Sequence, residues 1–126
     1  MSPILVVACT ESRSRLVSIL REAGYVVAEA DSGQSALITA HSVSPELILM
    51  AIVMPDINGL EVAAKLRQHL NSELPPIILL GSITPIGIDE EPLVSLVNGY
   101  LDIDASSDDL LATVRSHLTI NNKRMH

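Results

Sequence analysis

The 126 residues carry a formal net charge of −7, nearly half of them are apolar, and the only aromatic side chains are Tyr25 and Tyr100. Such a composition excludes a disordered chain, and its acidity argues against a surface that grips phosphate backbones. A chain of this length holds one domain, and its core must be aliphatic.

Ile4 to Ala8 is a continuous apolar run of the kind found in strands buried on both faces. From Ser12 to Glu22 apolar residues recur at helical spacing, Leu16, Ile19 and Leu20 among them, and Gly24 ends that helix. Tyr25 to Ala30 reads as the second strand. Asp31-Ser32-Gly33 then turns the chain into a helix bearing Ala36, Leu37 and Ala40.

Pro45 precedes a third strand, Leu47 to Ala51, which contains no polar side chain. Pro55, Asn58 and Gly59 form a loop, and the next helix carries Val62, Ala63, Leu66 and Leu70 on one side. Pro75 and Pro76 introduce the fourth strand, Ile77 to Leu80, ending at Gly81. Pro92 suits the first turn of a short helix with Leu93, Leu96 and Val97. The fifth strand is Tyr100 to Ile103. Ser106 or Ser107 caps a last helix whose first turn holds Asp108 and Asp109, where the dipole favours anions. The reading gives one domain over residues 1–120 and a polar, fraying tail over 121–126.

Five strands alternating with five helices predict an α/β fold, a parallel sheet covered on both faces. Ligands of such sheets gather at the carboxyl ends of the strands. There the chain places Ala8, Cys9 and Thr10, then Ala51, then Gly81 and Ser82, then Ile103 and Asp104. Ala8, Ala51, Gly81 and Ile103 have no group for nucleophilic catalysis or for holding a hard cation. The run from Ala8 to Arg13 has no glycine to cradle a phosphate. Cys9 reads as a small buried hydrophobe; as a reactive thiol it would need a lowered pKa, with Arg13 the nearby cation. Glu11, Asp56 and Asp104 are expected around the crevice mouth, as solvated carboxylates rather than as a weak cation site. The histidines (His41, His69, His117, His126) follow no metal-ligand spacing and read as surface residues. The lone cysteine excludes an intrachain disulfide, and Ile4–Cys9 is too short for a signal peptide or membrane span. A cytoplasmic protein without a membrane anchor is the expectation.

The segments ILVV at Ile4–Val7, GYVVAEADSGQSAL at Gly24–Leu37, PELILMAIVMPDINGLEV at Pro45–Val62, PPIILLG at Pro75–Gly81 and GYLDIDASSDDLLATV at Gly99–Val114 carry a resemblance. In this order and spacing they resemble the CheY-like receiver domain of bacterial two-component response regulators, over essentially the whole chain. The resemblance implies a doubly wound, flavodoxin-like sheet of strand order 2-1-3-4-5 with five helices. In a typical member an aspartate ending the third strand accepts a phosphoryl group from a histidine kinase. An acid pair after the first strand binds Mg²⁺ with it. A Thr or Ser after the fourth strand and a Lys after the fifth contact the phosphoryl oxygens.

Carried over residue by residue, the acid pair falls on Ala8 and Cys9 and the acceptor on Ala51. The hydroxyl falls on Gly81, with Ser82 beside it, and the lysine on Ile103. Only Tyr100 keeps the identity of a residue the family uses on activation. These departures imply a pseudo-receiver: not an enzyme, no cofactor, Mg²⁺ binding lost. Its expected role is a phosphorylation-independent interaction module for a protein partner, with homodimerisation as one form. The contact face would be the fourth helix, fifth strand and fifth helix. No Lys or Arg occurs between Gln68 and Val114, where eight acids fall. Glu90, Glu91, Asp108 and Asp109 with Tyr100 would mark the face for a basic partner. An alternative is a small-molecule or redox sensor using the apolar remnant of the crevice. A third reading leaves residual phosphate acceptance on Ser82, Thr84 or Asp56.

Overall fold

Strands without a polar side chain can be placed only where both faces are covered, and the apolar runs of this chain take those places. The structure, a computed structural model, describes residues 3–51, 61–62, 64–66, 75–81, 99–102 and 105–124. β1 (Ile4–Val7), β3 (Leu47–Ala51) and β4 (Ile77–Gly81) lie inside the sheet, and every residue of β1 and β3 is buried. β2 (Val27–Ala30) and β5 (Gly99–Asp102) form the edges, and the order is β2-β1-β3-β4-β5. All four pairings are parallel, with Val6 opposite Leu49 and Leu49 opposite Ile78 at the centre. Prolines sit where a strand begins, so no ladder hydrogen bond is lost. The Pro3 and Pro76 carbonyls instead accept from the Glu46 and Ile48 amides, each at 2.9 Å.

Alternate side chains of a strand point to opposite faces, and this splits the core in two. Val6, Ala8, Leu49, Ala51 and Leu80 pack against α1 (Thr10–Glu22) and the C-terminal helix through Leu16, Leu20, Leu110 and Val114. Leu5, Val7, Ile48, Met50 and Leu79 pack on the other face against α2 (Gly33–Val43) and the helical residues 61–62 and 64–66 (α3), through Ala36, Ala40, Val62 and Leu66. The C-terminal helix, Ser107–Arg124, is α4. Each fully buried Leu or Ile contributes about 1.5–3 kcal/mol relative to exposure. No buried polar side chain interrupts either layer among the described residues.

Boundaries differ from the sequence reading in physically simple ways. α1 begins at Thr10 rather than Ser12, because Cys9 serves as its N-cap and its carbonyl accepts from the Arg13 amide at 2.8 Å. Gly24 adopts φ +96°, and the Tyr25 amide still bonds back to the Leu20 carbonyl. Tyr25 therefore lies outside the strand, and β2 starts at Val27. The Ser32 hydroxyl accepts from the Ser35 amide at 3.1 Å, capping α2. Of the two serines expected to cap the last helix, Ser106 does so, accepting from the Asp109 amide at 3.2 Å. α4 continues to Arg124, past Asn121, where the sequence suggests a fraying tail. A hydrogen bond from Arg15 of α1 to the Ala105 carbonyl ties α1 to the start of α4. The fourth helix expected around Leu93 lies outside the described residues.

Candidate functional site

Parallel pairing brings the carboxyl ends of the central strands together. Val7 stands opposite Met50, and Ala51 opposite Leu80, so Ala8 and Ala51 end neighbouring strands at the same edge. Both methyl groups point into the core layer under α1 and α4, Ala8 fully buried and Ala51 only 3% exposed. Gly81, half-buried, ends β4 opposite Asp102 of β5. Ser82, Ile103 and Asp104 lie outside the described residues, as do Asp56, Thr84, Glu90 and Glu91. Tyr100 is placed by its backbone in β5, opposite Leu79. Asp108 and Asp109 are exposed in the first turn of α4.

The expectation for Cys9 needs correction: it is exposed. It leaves the sheet one residue after buried Ala8 and caps α1, which turns its side chain out of the core. The Ser12 backbone N–H, and then the Ser12 hydroxyl, hold its thiol below the ordinary cysteine range. Sγ stands 3.8 Å from Ser12 Oγ. Arg13, the cation expected to act on the thiol, is engaged elsewhere. The Cys9 alkylation rate is expected to reach half-maximum below the pH of about 8.5 typical of a free cysteine. Ser12→Ala should move that midpoint up only part of the way, because the backbone N–H remains. A native profile matching free cysteine would contradict this geometry.

The Arg13 guanidinium donates from Nη1 to the Ala8 carbonyl at 3.0 Å and from Nε to Glu29 Oε1 at 3.1 Å. Arg21 reaches the other oxygen, Oε2, at 3.3 Å. The sequence reading missed this cluster, because residues 13, 21 and 29 become neighbours only once β2 lies beside β1. Arg13 and Glu29, with Ala30, Asp31 and Ser35, line an open hollow of about 230 Å³ beside the edge. His117, expected at the surface, is half-buried on α4, with Nδ1 2.9 Å from the Thr113 carbonyl. It packs toward Gly99, where an added Cβ would meet Ile78 Cδ1 at 3.2 Å.

The donor set at this edge can be tested against a hard divalent cation, which requires oxygen ligands at short range. Ala8 and Ala51 offer none, and Cys9 offers sulfur. Among the described residues no group of three or more His, Cys, Asp or Glu is gathered to hold a metal. The described residues at this edge do not fit Mg²⁺. Among the described residues, no helix is long and apolar enough to cross a membrane.

Comparison with known proteins agrees with this architecture. The family model described as "Response regulator receiver domain" matches residues 7–115. The nitrate/nitrite response regulator protein NarL of Escherichia coli is 37% identical over 92 residues, covering 68% of this chain and 39% of its own length. The polar-differentiation response regulator DivK of Brucella ovis is 29% identical over 116 residues, covering 91% of this chain and 94% of that protein. Among solved structures, the response regulator protein TrrA of Thermotoga maritima, in complex with Mg²⁺-BeF, superposes with a TM-score of 0.80 at 31% identity, over 92% of this chain and 98% of that one. The chain spans less than half the length of several curated regulators that it matches. With the sheet order, the two-sided core and the matched span agreeing, the chain belongs to the response regulator receiver domains, the modules of two-component signalling.

Proposed function

We propose that this receiver works without phosphorylation, as a pseudo-receiver that signals by binding a protein partner in the cytoplasm. The observation that carries the reading is the burial of Ala8 and Ala51 in the aliphatic core, at the positions where the family keeps an acid and its phospho-acceptor. Phosphoryl transfer rests on positioning and on electrostatic stabilisation of developing charge. A methyl group at 51 supplies no nucleophile, and no carboxylate at 8 or 9 gathers a metal. Grouped carboxylates about 4 Å apart would repel by roughly 4 kcal/mol per pair at an effective dielectric near 20. Their replacement lets the edge stay closed without a cation.

The partner would meet the face formed by the helix after the fourth strand, β5 and α4, where Asp108 and Asp109 are exposed and Glu90, Glu91 and Tyr100 fall in sequence. A basic surface is the matching chemistry, and a second copy of the chain is the other occupant of that face. The alternative, a small-molecule or redox sensor, is favoured by the exposure of Cys9. The burial of Ala8 and Ala51 weighs against its apolar crevice.

The experiment is thermal unfolding with Mg²⁺ and beryllofluoride, beside intact-mass analysis after incubation with a small phosphodonor. A receiver that binds these ions at a hundredfold excess over Kd gains about 2.7 kcal/mol, a rise in Tm on the order of 10 °C for a domain of this size. This chain is expected to show no rise and no phosphate adduct. Either a rise or an adduct would sink the proposal, an adduct on Ser82, Thr84 or Asp56 included.

A further inference from the structure

We infer that Arg21 and Glu29 close the open edge of the sheet at β2 against strand addition by a second copy of this chain. β2 pairs with β1 alone, since it stands first in the sheet order. The Val26 carbonyl accepts from the Ile4 amide at 2.8 Å and the Ala30 carbonyl from the Ala8 amide at 3.2 Å, so these groups face β1. Backbone groups of a strand alternate sides. Those of Val27 and Glu29 therefore face outward, as a template for another strand.

That outward row is where Arg21 lies. Its Nη2 donates to the Val27 carbonyl at 3.4 Å, the long end of a hydrogen bond, and to Glu29 Oε2 at 3.3 Å. Glu29 is held from the other side by Arg13, which is only 18% exposed and anchored on the Ala8 carbonyl. The helix-to-strand turn at Gly24 brings Arg21 beside Val27, six residues on. An incoming strand would have to lift the guanidinium off the edge and leave Glu29 with one partner fewer. The β2 sequence, Val27-Ala28-Glu29-Ala30, has neither the Pro nor the Lys that commonly blunts an edge. Next to it Val26 is 52% exposed, an aliphatic surface that would otherwise favour association.

Exposed ion pairs of this kind contribute little to global stability. The network's effect is therefore expected in association rather than in folding, and the two can be measured apart. Sedimentation velocity over a concentration series compares the native chain with the double variant Arg21→Ala, Glu29→Ala and with Arg21→Glu, which sets two carboxylates against each other. Both variants are expected to shift to larger species at concentrations where the native distribution does not move. The intermolecular strand band should appear in the infrared amide I region, with an unchanged denaturation midpoint. Adding Val26→Lys to either variant should return the native distribution. Native sedimentation of both variants overturns the inference. Association that Val26→Lys fails to reverse, or that accompanies a lowered unfolding midpoint, overturns it equally.

Discussion

Truncation of Leu49 to alanine is expected to lower the unfolding free energy by about 3–5 kcal/mol. Leu49 is fully buried in β3, paired with Val6 on one side and Ile78 on the other. Both flanking strands are fixed by their own ladders, so they cannot close on the space it vacates. The cost should therefore sit near the top of the range for such cavities. Against a total of roughly 5–15 kcal/mol for a domain, one such substitution removes a large share. Ile38→Ala on α2, where the side chain is 62% exposed, is expected to stay within about 0.5 kcal/mol of native. Urea denaturation of the two variants checks both values. A loss below about 1 kcal/mol for Leu49→Ala would mean that the central strand repacks, contrary to close-packed interiors.

Placing a carboxylate at the end of β3 by Ala51→Asp is expected to destabilise the chain by about 3 kcal/mol at neutral pH, the scale of an unpaired buried charge. Position 51 is surrounded by the apolar layer beneath α1 and α4, and its neighbour at the strand ends is Ala8. Burial disfavours the carboxylate, so the folded-state pKa of the new group rises above the unfolded value of about 3.9. Between those two values the native state holds a proton that the unfolded state has lost, so stability falls as pH rises. The variant should approach native stability near pH 4 and lose it progressively as pH climbs through the raised pKa. Denaturation curves at pH 4 and pH 8, each referenced to the native chain, test the sign and the size. Native-like stability at pH 8 would show that the carboxylate reaches water or a cation, and would undercut the closed-edge account.

The sheet was legible because its strands are chemically unambiguous. Ile4–Val7, Leu47–Ala51 and Ile77–Gly81 are apolar without interruption, and a proline shortly before each marks where it begins. Strand order came from the family resemblance rather than from those runs. Boundaries were less legible where the backbone, rather than the side chains, decides. Tyr25 and Val26 have strand character, yet the positive φ at Gly24 delays β2. Cys9 is hydrophobic by type but becomes an N-cap, a role set by where α1 starts. Ala8 and Ala51 could be read as strand ends from sequence, whereas their closure into one core layer required the register. Arg13, Arg21 and Glu29 left no local pattern, since 16 and 8 residues separate Glu29 from its two partners.

The order β2-β1-β3-β4-β5 puts the two outermost strands far apart in sequence, and the chain's two tyrosines are distributed accordingly. Tyr25 follows the turn at Gly24 that leads into β2, and Tyr100 lies within β5. With no tryptophan or phenylalanine in the chain, the ring resonances of the two tyrosines are built-in NMR labels for the segments at β2 and β5. Cooperative unfolding moves both signals from native to unfolded positions along a single curve. A sheet that unzips from one rim would separate them, and the native sequence alone suffices to tell which rim goes first.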